Sequence, residues 1–183
     1  MKNVTSKSNS AGDMELKDSA LFELFVSELR DLYWAEKHIV KNLPKMAKAA
    51  TSGDLKNAFQ EHLSETETQV ERLEEIFQLI DKRAVGKRCE AMDGLVEEGK
   101  TKIEDTEQGS LTRDVGLIAS AQKIEHYEIA AYGTLKTIAS VLQLDDQIAD
   151  LLNETLEEEK NADVKLTEIA QSHLNEDARE ERK

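Results

Sequence analysis

Cysteine is all but absent, Cys89 being the only one in 183 residues, so no disulfide can form within the chain and a reducing compartment is expected. Proline is as scarce, at Pro44 alone, and with only eight glycines long stretches carry no helix breaker. Aromatic residues make up 4%, and 24 Lys and Arg face 38 Asp and Glu, for a net charge of −14. An acidic surface repels phosphate backbones and few rings remain to stack on bases, which excludes nucleic acid as a partner. No apolar run approaches the roughly 18 residues of a bilayer span. The opening stretch, MKNVTSKSNSAGD, lacks the apolar segment of a signal peptide. The expectation is a cytoplasmic protein without a membrane partner.

What the chain does have is apolar residues at steps of three and four, with no strand-type alternation, so the fold class is all-α. A first helix is predicted from about Ser19 to Ala50, with Leu21, Phe25, Glu28, Leu32, Glu36, Ile39, Leu43 and Met46 on one face and a kink or break at Pro44. After a turn at Thr51–Asp54, with Asp54 as N-cap, a second helix runs to about Asp81 on a seam that includes Leu55, Phe59, His62, Thr66, Gln69 and Leu73. A third covers about Arg113 to Leu142, with Ile118, Ala121, Glu125, Glu128, Tyr132 and Leu135 in line. The fourth covers about Asp145 to His173, with Leu152, Leu156, Glu159, Asp163 and Leu166. Residues 82–112 form a long connection that should hold a helix of its own at about 91–107, since a structureless loop of that length is unusual in a compact domain. Two hairpins so joined give a four-helix bundle with one helix-containing crossover between helices 2 and 3. Residues 15–174 are assigned to the bundle, 1–14 to a disordered N-terminal tail and 175–183 to a frayed polar C-terminal tail.

Acids interrupt three of these seams: Glu36, then Glu125 with Glu128, then Glu159 with Asp163. Burying an ionised carboxylate costs several kcal/mol unless it is paired, and clustered like charges worsen the cost. Counted from turns near Ser52 and Leu144, these acids and the pair His62 and Glu65 on helix two all fall near mid-bundle. Oxygen donors and an imidazole from four helices are what a pair of iron or manganese ions requires. Helix two offers His62-x-x-Glu65, and helix four offers Glu159-x-x-x-Asp163 without a histidine. Either spacing allows both side chains to share a face.

Each residue also has a plainer reading. Glu97, Glu98, Glu157 and Glu158 fit a solvated surface, and His62 fits a core imidazole bonded to Glu65 or Thr66. His126, one residue beyond Glu125, points about 100° away from it. His38 and His173 are assigned to the surface. Arg72 could supply the positive charge instead of a metal, which would make the acidic cluster structural. Of the aromatic group Phe22, Phe25, Tyr33 and Trp34, some could face another subunit or the crossover helix.

The runs LRDLYWAEK (29–37), EHLSETETQVERLEEIF (61–77), KIEHYEIAAYGTL (123–135) and LEEEKNADVKLTEIA (156–170), with RCEAMDGLVEEGK (88–100) between, resemble the YciE/YciF-like ferritin-fold stress proteins of bacteria. The resemblance covers about residues 21–170 and implies a ferritin-like bundle, a homodimer, a di-metal site and a stress-response role. The leading reading is a di-metal carboxylate protein with two iron or manganese ions per chain, reacting with oxygen or peroxide. Glu65 or Glu128 would bridge, Glu36, Glu125, Glu159 and Asp163 would be terminal ligands, His62 would complete one ion, and Tyr132 would stand beside the site. The competing reading is a non-catalytic stress scaffold that keeps the fold for dimerisation or partner binding with a weakened or empty site.

Overall fold

The computed structural model describes residues 19–181, and the N-terminal tail expected at 1–14 lies outside them. Among the described residues all regular structure is helical: α1 (Ala20–Ala49), α2 (Gly53–Leu79), α3 (Glu90–Asp105), α4 (Leu111–Val141), α5 (Asp146–Ile169), a π-helical turn (Ala170–Leu174) and α6 (Asn175–Glu180). The pairs α1 with α2 and α4 with α5 are the two hairpins, α2 packs on α5 and α1 on α4, and α3 is the crossover helix, lying against α4 and α1.

Local chemistry sets where each helix begins. Side chains of Ser19, Ser52, Cys89, Ser110 and Asp145 each accept an N–H of the first turn that has no partner within the helix. The cap of α2 is therefore Ser52, two residues ahead of the Asp54 expected from sequence. Helices α2 and α4 stop where the chain enters the left-handed region without glycine, at Asp81 (φ 56°) and Gln143 (φ 50°). There the Lys82 N–H returns to the Phe77 carbonyl at 2.8 Å and the Leu144 N–H to that of Ala139 at 3.1 Å. Pro44 does not divide α1, which continues through it to Ala49.

The interior is two apolar blocks with a polar layer between them. One block gathers Phe22, Phe25, Leu29, Leu32, Leu73, Phe77, Leu135 and Leu152. The other gathers Ile39, Leu43, Leu55, Phe59, Met92, Leu117, Ile118 and Leu166, closed on one side by α3. The seam of α1 runs through Leu29, whereas Glu28, expected on it, is exposed. The aromatics of α1 are absorbed within the chain: Phe22, Phe25 and Tyr33 are buried, and Trp34 stacks on His38 and lies against Gly86 of the crossover. A Cβ at Gly86 would stand 3.0 Å from Cβ of Trp34, so any larger residue here would push Trp34 aside by a few tenths of an ångström.

The C-terminal stretch expected to fray is ordered through Glu181. Leu174 inserts into the second apolar block. Beyond α6, the Glu181 carboxylate accepts the N–H groups of Leu111 and Thr112 at 2.6 and 2.9 Å, at the positive end of α4.

The same end of the bundle is tied by Asp114, wholly buried, whose two oxygens accept the N–H groups of Thr51 at 2.8 Å and Ser52 at 2.6 Å in the α1–α2 turn. Asp114→Ala strands two partly buried donors and is expected to cost about 1–3 kcal/mol in urea unfolding. A loss below about 0.5 kcal/mol, the level of an ordinary surface change, would show that water replaces the carboxylate.

Candidate metal centre

Five side chains from all four long helices converge in the polar layer. Glu125 and Glu128 stand one turn apart on α4, Glu159 comes from α5, His62 from α2 and Glu36 from α1. Each is a polar break in an otherwise apolar seam, so bundle packing itself turns it inward. Glu36 and Glu159 are 0% exposed, Glu128 1% and Glu125 3%. One donor atom from each of His62, Glu125, Glu128 and Glu159 lies within 4.8 Å of all the others. Nε2 of His62 is 3.4 Å from Glu125 and 3.8 Å from Glu159. Glu36 faces the cage from α1, one oxygen accepting the Tyr132 hydroxyl.

Two further groups fix the walls. Gln69 donates its amide N–H to Glu159 at 2.5 Å and to Glu158 at 3.2 Å. Gln69 was visible in sequence as a seam position two turns after His62, but carried no assigned role. Arg72 does not enter the cage: it grips Glu158 with two bonds of 2.6 and 2.7 Å. The structural ion pair that Arg72 could have made is thus formed with Glu158, and the buried acids receive no Lys or Arg among the described residues. Thr66 gives its hydroxyl to the His62 carbonyl, not to the ring.

The two other acids predicted as ligands stand outside the cage. Glu65 has a half-exposed side chain and meets His62 from the opposite ring edge, Nδ1 to Oε2 at 3.4 Å. Asp163 is partly exposed, accepting the Gln122 amide at 3.0 Å and lying 3.4 Å from His126. His126, which the sequence turns away from Glu125, is exposed. His38 is more enclosed than expected, wedged between Trp34 and the crossover with Asp93 at 3.5 Å.

Electrostatics follow from this crowding. Burial, then the neighbouring Glu159, pushes the Glu36 carboxyl up to about 8. Burial also holds Glu125 and Glu128 well above the carboxylate range; Glu36 and Glu159 add to the effect on Glu128, while for Glu125 the nearby His62 opposes it. Burial alone would lower His62, but Glu125, then Glu65, Glu159 and Glu36 raise it to about 10. Without a cation, the site can settle only by keeping protons.

The donor set fits a divalent metal. Among the described residues, six of the nine buried side-chain atoms without a hydrogen-bond partner belong to these five side chains: Oε2 of Glu36, Nε2 of His62, Oε2 of Glu125, both oxygens of Glu128 and Oε2 of Glu159. Unsatisfied buried acceptors are rare and costly. Donors about 2.0–2.6 Å from a common ion lie within about 4–5 Å of one another. The outer partners, Tyr132 on Glu36 and Gln69 on Glu159, occupy the opposite oxygens and leave the inward ones open.

Comparison with known proteins follows the same fold. A family described as "Domain of unknown function (DUF892)" matches residues 20–179. Protein YciF of Escherichia coli (strain K12) is 45% identical over 157 residues, 85% of this chain and 93% of that protein. The crystal structure of the E. coli stress protein YciF superposes with a TM-score of 0.81 at 44% identity, covering 86% of this chain and 98% of that one. YcfI from Rhodopseudomonas palustris gives 0.77 at 41% identity, covering 81% and 94%.

The proton uptake sets a pH dependence for the metal-free protein. Glu36 keeps its proton to about 8 when folded, against an ordinary 4.5. The native state therefore binds more protons than the unfolded chain across that window, and stability falls as pH rises through it. His62 acts with the same sign between 6.5 and about 10. Chelator-treated protein should unfold at lower urea at about pH 9 than at about pH 6. Rising stability over that interval would mean that the cage acids are ionised and paired.

Proposed function

The chain belongs to the DUF892 family and is a relative of the E. coli stress protein YciF, and on that footing we propose that its polar layer is a carboxylate-rich centre for iron or manganese. The observation that carries this reading is the set of six partnerless buried donor atoms facing one another. Glu36, His62, Glu125, Glu128 and Glu159 would hold the ions, two per chain in this reading, and Glu128 would contribute both of its oxygens. When bound, such ions supply redox chemistry toward oxygen or peroxide. The chain's own residues fix the geometry: Gln69 and Tyr132 hold Glu159 and Glu36 in place, and the two apolar blocks keep bulk water away. Asp163, bonded to Gln122, supports the packing of α5 on α4.

The single imidazole favours a second reading, a stress scaffold whose cage stays empty or holds a redox-inert ion, because carboxylate oxygens also suit calcium and magnesium. Aerobic addition of ferrous iron separates the two. A rapid near-ultraviolet absorbance rise supports the oxidase, and its absence supports the scaffold.

A homodimer belongs to the proposal. A groove between α1 and α4 is lined by Glu28, Tyr127, Ala131 and Thr134. Leu24, one turn before Glu28, and Val141, two turns beyond Thr134, are 48% and 63% exposed on its flanks. Light scattering at micromolar concentration should give twice the chain mass of 20.6 kDa. A monomer mass would remove the dimer.

Glu128→Gln tests the centre itself. Burial keeps the Glu128 carboxyl protonated in the metal-free cage, so the isosteric amide replaces a neutral group and removes the desolvation and repulsion that ionisation would bring; the melting temperature without metal should hold, and rise at higher pH. The same change removes an anionic donor, so manganous ion should no longer raise it. In wild type an ion at about a thousand times its Kd adds about 4 kcal/mol. Equal destabilisation of the mutant with and without metal would give Glu128 a structural role instead.

A further inference from the structure

Two openings reach the same pair of residues, His62 and Glu125, and their chemistry differs. One is an apolar cavity beneath the crossover helix, with Ile39, Leu43, Val96, Ile103 and Ile124 in its walls. The other is a cleft between α2 and α5, with Glu61, Glu65, Asn161 and Lys165 toward its mouth and His62 and Glu125 at its floor. A hydrated dication loses too much hydration energy to cross the first. The second offers oxygen ligands in succession.

We propose that the α2/α5 cleft is the route by which a divalent cation reaches the cage, with Glu65 its first protein ligand and the Glu61–Lys165 ion pair a latch across the mouth. This inference rests on the metal-centre reading above. Glu65 is half-exposed and 3.4 Å from Nδ1 of His62, whose Nε2 lies 3.4 Å from Glu125 on the far side. The imidazole thus stands between an outer carboxylate in contact with water and the inner ones that are not. Nε2 of His62 and Oε2 of Glu125, both in side chains more than nine-tenths buried, have no hydrogen-bond partner at the cleft floor. Lys165 of α5 is held by Glu61 of α2, so the mouth's only lining cation is engaged by an acid of the opposite wall. Glu65 is left to meet an incoming ion. The apolar cavity remains for an uncharged reactant such as dioxygen.

The test is the rate at which metal-free, full-length protein takes up Mn²⁺, followed by a fluorescent indicator of the free ion. Both substitutions lie at exposed positions that the fold tolerates. Glu65→Gln should slow uptake about tenfold at low ionic strength, as loss of a steering charge does, with the same final number of ions bound. Lys165→Met should speed it, and salt should shrink both differences. Unchanged rates in both variants would overturn the route. A lower final number of ions in Glu65→Gln would also overturn it, by making Glu65 a resident ligand. Failure of wild type to bind Mn²⁺ or Fe²⁺ at all would instead defeat the metal-centre reading, and the route with it.

Discussion

Four buried carboxylates, Glu36, Glu125, Glu128 and Glu159, share one imidazole and, among the described residues, no lysine or arginine. A charge imbalance of that kind at the centre of a bundle must be met by protons or by a cation, because the effective cost of an unpaired buried ion is several kcal/mol. Protons meet it only by holding Glu36, Glu125 and Glu128 above their ordinary range and by bridging carboxyls, Glu36 with Glu128 and Glu125 with Glu159, so the charge and the inward oxygens both depend on them. A divalent ion meets both needs at once. Much else in the molecule is consistent with this demand.

The fold is arranged to carry it. The apolar blocks on either side provide the burial that stabilises the bundle, so the layer between them need not contribute hydrophobic energy. The Arg72 guanidinium is kept out by Glu158 and Thr155. Asp114 and Glu181 pin one end of the bundle, accepting backbone N–H groups of the α1–α2 turn and of the start of α4. Tying that end serves geometry at the middle, since a cluster able to hold a metal tolerates displacement of about 0.5 Å at most.

Much of this is legible in the amino-acid sequence. The bundle follows from helical spacing and scarce breakers, and Glu36, His62, Glu125, Glu128 and Glu159 follow from acids and a histidine on apolar seams at one depth. Glu65 and Asp163 show where such reasoning stops: spacing of three or four puts two residues on one broad face, but does not say which is turned inward. Glu65 lies on the outer edge of its face, and Gln122 and His126 take the oxygens of Asp163. The seam of α1 shifts from Glu28 to Leu29 for the same reason, because steps of three and four both fit the period and packing chooses. The order of the C-terminal stretch rests on Leu174 and on the Glu181 cap, contacts across roughly 70 residues that local composition does not record.

The central claim is that a divalent metal, and not protons alone, neutralises the buried acids. Elemental analysis by mass spectrometry tests it most directly, on full-length protein purified without added metal and then equilibrated with ferrous and manganous ions and desalted. The account expects near two iron or manganese ions per chain, lost when Glu128 and Glu159 are both replaced by glutamine. A protein that retains neither metal, or one whose metal content survives that double replacement, would contradict it.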